Sequence, residues 1–263
     1  MLLDYNMNLW YQNFENNLCL GQPKYFDGNQ LICNLINILK TRMNLTNQWN
    51  EDIITAFLLE NLMSFYDSFS NISVHIYKQI GKEESFFGDI AIIVTFSLEN
   101  NIFQGVSFIE AKRDFPDKKY KFASFNKFQL EKITQHTTSS FYIFYSHKYF
   151  LPMINSFCLR NIIEIKNIQN GSLQIEDIYD FTTTFPTQFS RFLKGFDLDY
   201  SDKAFSIISE GNKPKYLIKI NINFVKNNKL SIKKSKIFFD PIQHNYEILS
   251  KENLQKLLKK EEK

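Results

Sequence analysis

Glycine is scarce in this chain, with 8 residues in 263. That scarcity argues against a glycine-rich phosphate cradle, and no G-x-G-x-x-G or G-x-x-x-x-G-K-[ST] pattern occurs. Cysteine is nearly as rare: Cys19, Cys33 and Cys158 are odd in number and far apart. They fit neither zinc-ligand spacing nor a disulfide framework, so a reducing cytoplasm is the expected setting. The four histidines, His75, His136, His147 and His244, are scattered and form no H-x-x-x-H pair, so all four read as surface or packed residues. No G-x-S-x-G elbow supports Ser/His/Asp chemistry. No apolar run is long enough to cross a bilayer, and Asp4 breaks the N-terminus too early for a signal peptide. Neither a membrane span nor secretion is expected.

What is present is an ordinary globular composition, 44% hydrophobic and 22% charged, with 27 phenylalanines. The length allows one large domain or two small ones. The net charge of +3 permits nucleic-acid binding without demanding it. Asn, Lys and Ile are abundant, a bias that a skewed genome can produce.

Residues 1–28, polar and aromatic with a turn at Gly21-Gln22-Pro23, read as an N-terminal extension. A helix is expected over 29–45, from the stripe Leu31, Leu35, Ile38 and Leu39. A second is expected over 50–65, capped by Asn50, with Glu51-Asp52 in its first turn and Ile54, Phe57, Leu58, Leu62 and Phe65 inward. Glu51 falls on that inward face. It is either a capping acid or a ligand reaching into a site.

Residues 72–78 alternate as a half-buried strand. Two further strands follow, one opened by Phe87-Gly88-Asp89 and the other closed by Glu110-Ala111-Lys112-Arg113, with a turn at 99–101. The three strands read as an antiparallel meander. A helix over 124–137 places Phe125, Phe128 and Ile133 inward with Gln129 beside them, and 141–145 is a buried strand. Later signals are a short helix at 185–193, a strand at 216–224, an Asn227-Asn228 turn and a lysine-rich amphipathic helix from residue 250. These elements describe an α/β core with a mixed sheet flanked by helices over 29–165. A C-terminal α+β extension follows over 166–263, a candidate docking or DNA-contact region.

Charges placed in core strands carry the functional reading. Glu110 and Lys112 are two residues apart and so share one face of a strand. Buried charges are costly unless they pair or hold a metal. Glu51, Gly88-Asp89, Glu110-Ala111-Lys112 and Gln129, in that order over 50–146, resemble the PD-(D/E)XK nuclease superfamily. The series helical Glu, strand Asp, E-x-K strand and following helical Gln is that family's order. Gly88 stands where the family name has Pro.

The resemblance implies a restriction-endonuclease-like core and a metal-dependent endonuclease cutting DNA. It implies Mg²⁺, or Mn²⁺ in its place, held by Glu51, Asp89 and Glu110, since Mg²⁺ takes carboxylates, water and phosphate oxygens. Lys112 would orient or deprotonate the attacking water, or offset transition-state charge. Burial and a nearby cation are expected to depress its pKa. Gln129 would bond the water, the backbone near Glu110 or a phosphate. The narrower likeness is to restriction and antiviral-defence nucleases of the Mrr kind, which implies an effector subunit with a partner ATPase or sensor, or a homo-oligomer.

Arg113, Lys118, Lys119 and Lys121 follow the motif and read either as phosphate contacts or as a solvated loop. Lys226, Lys229, Lys233, Lys234 and Lys236 read either as a DNA-backbone face or as an edge that deters aggregation. Two other functions stand beside the deoxyribonuclease: a non-catalytic scaffold or nucleic-acid-binding subunit with the same fold, and a nuclease acting on RNA.

Overall fold

The computed structural model describes residues 50–67, 69–81, 88–98, 101–147, 149, 151–209, 213–224 and 239–260. The N-terminal extension, the 29–45 helix, Phe87, and the 227–228 turn with its lysines lie outside the described residues.

Helix α1 (Glu51–Tyr66) starts where the sequence places it. Extended Asn50 accepts a hydrogen bond from the Asp52 N–H at 2.9 Å, satisfying an orphan donor of the first turn. No glycine or proline interrupts the helix. Its buried surface is broader than the expected stripe and includes Ile53, Thr55, Ala56, Leu59 and Tyr66, whereas Phe57 and Phe65 are half-buried.

Strand β1 (Ile72–Gln79) follows, then β2 (Ile90–Leu98) and β3 (Asn101–Arg113). Helix α2 (Lys127–His136) leads to β4 (Ser140–Tyr145), β5 (Pro152–Asn155) and α3 (Ser156–Ile165). Then come β6 (Thr183–Thr184), α4 (Phe185–Leu193), α5 (Asp202–Ser209) and β7 (Tyr216–Phe224). The last elements are β8 (Tyr246–Ile248) and α6 (Lys251–Lys260).

These strands form one eight-stranded mixed sheet in the order β6-β5-β4-β3-β2-β7-β1-β8. The expected meander is only half present. β2 and β3 form an antiparallel hairpin from Leu98↔Asn101 to Ile90↔Ile109, but β7 lies between β1 and β2. It runs antiparallel to β1 and parallel to β2. Its alternating, half-polar sequence reads as a strand, but no local signal tells it to enter the sheet interior. The segment after residue 165 therefore supplies an internal strand of the same sheet that carries Asp89 and Glu110. β4 lies parallel to β3, with Glu110 opposite Tyr142 and Lys112 opposite Phe144.

One sheet face packs on α1 and α4, burying Ile92, Ile109, Ile143 and Ile218 against Leu59, Leu62, Phe189 and Phe192. The opposite face is covered by α2, α3 and α5. There Ile93, Phe108 and Leu217 meet Ile133 and Ile207, while Tyr142 and Phe144 meet Leu130 and Leu159. Period-2 alternation thus sends Ile109 and Ala111 to the α1 side and Phe108, Glu110 and Lys112 to the α2 side.

Phe128 corrects the helical reading of α2. Leu130, Ile133 and Thr134 face the core, and Phe128 lies two positions off that stripe, 65% exposed.

Leu59 is fully buried between α1 and the sheet. Leu59→Ala should lower unfolding stability by about 2–5 kcal/mol through lost burial and the cavity left behind, whereas Ser64→Ala on the exposed side should change it by less than about 0.5 kcal/mol. Urea unfolding of the two variants measures the difference.

Candidate active site at the overhang of the third strand

β3 is longer than its neighbour on one side. The β2 ladder ends at Ile90↔Ile109, while β3 continues to Arg113. In this register the Ile109 carbonyl points toward β2 and accepts the Asp89 N–H at 2.9 Å. The N–H groups of Ala111 and Arg113 point the same way, past the end of β2, where no strand remains to receive them. Two carboxylates fill the gap. Asp89 Oδ2 accepts from Ala111 N–H at 2.8 Å, and Glu51 Oε1 accepts from Arg113 N–H at 2.9 Å.

Asp89 is also tied by its own backbone, whose carbonyl accepts the Tyr216 N–H at 2.9 Å from β7. Glu51 further accepts from the Ser124 hydroxyl at 3.2 Å. It is the first residue of its helix, and its carboxylate reaches across to β3 instead of closing on its own N-terminus. One turn later, Thr55 and Tyr145 hydroxyls lie 2.7 Å apart and pin this end of α1 to β4.

On the other face of β3, buried Glu110 and Lys112 form an ion pair through Oε1 and Nζ. The same Oε1 accepts from Gln129 Nε2 at 2.7 Å. Five residues expected at the site, Glu51, Asp89, Glu110, Lys112 and Gln129, thus meet along four residues of one strand. Glu51, Asp89 and Gln129 are half-buried and form the more open side of the group.

Gly88 turns the chain into this cluster at φ 89°, outside the range of proline, with an ideal Cβ only 2.8 Å from the Ile109 carbonyl oxygen. Glycine is thus the residue this backbone position requires.

The electrostatics follow from three acids around one amine. Burial, then Glu110, pushes the Asp89 carboxyl up to about 8. Burial also raises Glu110, against the pull of Lys112 and Gln129. Burial tends to lower the Lys112 pKa, but Glu110, Asp89 and Glu51 outweigh it and hold the ammonium above its ordinary value. The expectation of a depressed Lys112 pKa included a bound cation; in the cation-free protein the carboxylates around Lys112 outweigh burial and favour the charged amine.

Among the described residues, no three His, Cys, Asp or Glu side chains form a ready metal-ligand set. Asp89 and Glu110 are the residues that could hold a divalent cation, since Mg²⁺ needs only one or two carboxylates beside water and phosphate. Among the described residues, the hydrogen bonds to Asp89 and Glu110 each fall on one oxygen, leaving the other as a donor atom. Tyr142, opposite Glu110 on β4, has a buried hydroxyl with no hydrogen-bond partner among the described residues. Burial raises its pKa, as do Glu110 and Asp89, which places that hydroxyl within electrostatic reach of both acids. A polar ligand among these groups would satisfy it.

Of the expected basic residues, Arg113 directly follows Lys112 on β3 and meets Glu51 through its backbone N–H. Arg113 stacks over Phe115 at 4.4 Å and Lys118 lies 5.0 Å from the same ring. Lys118 and Lys119 are exposed and Lys121 is half-buried.

Sequence reading missed Ser124, Tyr142 and the pairing of buried Asp114 with half-buried His147 just past the motif. Asp114, fully buried, accepts the His147 N–H at 2.8 Å and bonds its ring at Nδ1. These residues are far apart in the chain, and only the parallel β3–β4 pairing joins them.

No family model, curated protein or solved structure matches this chain.

A carboxyl raised from about 4 when unfolded to about 8 when folded keeps its proton in the folded state. Its contribution to stability is complete below the unfolded value and is lost as pH rises through the folded one. In chelator, wild type should therefore lose stability relative to Asp89→Asn between about pH 4 and pH 8. Thermal melts of both proteins across that window test this, and parallel pH profiles would contradict it.

Proposed function

We propose that this chain is a metal-dependent nuclease of the PD-(D/E)XK type that hydrolyses DNA phosphodiester bonds. The observation that carries the reading is the gathering of Glu51, Asp89, Glu110, Lys112 and Gln129 at one strand overhang. They come from two helices and two strand ends that lie far apart in the chain. Exposed Lys118 and Lys119, on the connection that follows Lys112 in the chain, would supply charge that a phosphate backbone requires.

Asp89 and Glu110 would hold Mg²⁺ or Mn²⁺, with Glu51 joining directly or through water. Such a cation polarises the scissile phosphate and makes a bound water a better nucleophile at neutral pH. The protein's own groups do the rest. Lys112, kept charged by its acidic neighbours, offsets the negative charge that builds on the phosphorane oxygens. Gln129 fixes the Glu110 carboxylate, so its remaining oxygen is presented in one orientation. The Ala111 and Arg113 N–H groups do the same for Asp89 and Glu51.

A non-catalytic subunit with this fold is the second reading. It is favoured by the Lys112–Glu110 pair, which neutralises itself in a buried position, and by the absence of a ready three-ligand set among the described residues.

The two readings separate on plasmid DNA. Wild type should nick supercoiled plasmid with Mg²⁺ or Mn²⁺, lose the activity in EDTA, and lose at least about 100-fold in Lys112→Ala. Equal nicking by wild type and Lys112→Ala, or nicking that survives EDTA, would refute the assignment.

A further inference from the structure

Lys215 stands one residue before β7, the strand that enters the sheet beside β2. The parallel ladder between these strands opens at Ile90↔Tyr216, and the Tyr216 N–H bonds the Asp89 carbonyl at 2.9 Å. Lys215 therefore lies beside Asp89, with their backbones about 5 Å apart at the usual spacing of paired strands. Its own carbonyl accepts the Gln79 N–H at 3.0 Å from β1, so its main chain is fixed on both sides.

The Lys215 side chain makes a second link to the cluster. Its ammonium pairs with Asp52 Oδ2 at 2.5 Å. Asp52 directly follows Glu51, whose carboxylate holds the Arg113 N–H. Lys215 thus joins the two elements that deliver Asp89 and Glu51 to the β3 overhang, and its charge is held one residue away from each.

The pair itself is loose. The Lys215 and Asp52 side chains keep 37% and 45% of their surface exposed. Ion pairs this exposed are screened by solvent and contribute little, so Lys215 can leave Asp52 at small cost. A phosphate of the DNA backbone is a stronger competitor, because a lysine that meets it releases a condensed counterion.

Resting on the nuclease reading, we propose that Lys215 exchanges Asp52 for a DNA backbone phosphate beside the scissile one. Asp52 holds the ammonium in the free protein and competes with that phosphate. The contact positions the strand and carries no sequence preference. Lys215 takes no part in the bond-breaking step.

The two halves of one ion pair should then act in opposite directions on binding. Fluorescence anisotropy of a labelled DNA duplex would be followed with the intact protein in Ca²⁺, which takes the same oxygen ligands, over a series of salt concentrations. Lys215→Ala should weaken binding about tenfold at 0.1 M salt and make the log–log salt slope shallower by about 0.9, the value of one phosphate contact. Lys215→Arg should keep the wild-type slope. Asp52→Ala should bind about two- to fivefold more tightly than wild type, the worth of an exposed pair.

The double variant separates a phosphate contact from mere neutralisation of Asp52. Asp52→Ala with Lys215→Ala should still bind about tenfold more weakly than Asp52→Ala alone. Equal binding by those two proteins, a wild-type slope in Lys215→Ala, or weakening by Asp52→Ala would overturn the inference and leave the nuclease reading intact. Failure of wild type to bind the duplex at any salt would overturn both.

Discussion

Everything at the candidate site depends on β3 outrunning β2. A strand end that projects past its neighbour presents backbone N–H groups with no ladder partner, and such groups are costly when buried. Here the cost is avoided by the Asp89 and Glu51 carboxylates, which receive the Ala111 and Arg113 N–H groups as a strand would. The device does two things at once. It completes the hydrogen bonding of the sheet, and it fixes two acids within reach of a third on the opposite face. Carboxylates placed this way are held by backbone geometry and not by side-chain packing alone, which limits their freedom to reorient.

The same arrangement sets the character of Lys112. A lysine buried in an apolar wall tends to lose its charge. This one is buried but surrounded by Glu110, Asp89 and Glu51, and the acids prevail. In the cation-free protein Lys112 is therefore a charged donor. Protons are instead retained on the acid side, where Asp89 is pushed up to about 8. Metal binding at such acids must displace protons, so uptake is linked to pH.

Much of this was legible in the sequence, for identifiable reasons. Asn50 and the apolar run after it mark α1, and the β-branched runs flanking Asp89 and Glu110 mark β2 and β3. The spacing of Glu110 and Lys112 puts both on one face whatever the tertiary context. Three things were not legible. The insertion of β7 between β1 and β2 depends on pairing across more than 100 residues, which no local pattern encodes. The exposure of Phe128 depends on which side of α2 meets the sheet, and packing through Leu130, Ile133 and Thr134 leaves Phe128, five residues before Ile133, on the outer side. The pairing of Asp114 with His147 depends on the parallel β3–β4 contact, which brings together residues with no shared motif.

The most direct test of the site is cation uptake by the intact protein, measured by calorimetric titration with Mn²⁺ at pH 8 and compared among wild type, Asp89→Asn and Glu110→Gln. Saturable uptake by wild type, abolished or weakened at least about tenfold in both variants while their folds persist by circular dichroism, is the expected result. Equal uptake by all three proteins, or none by wild type, would contradict a divalent-cation site at the β3 overhang.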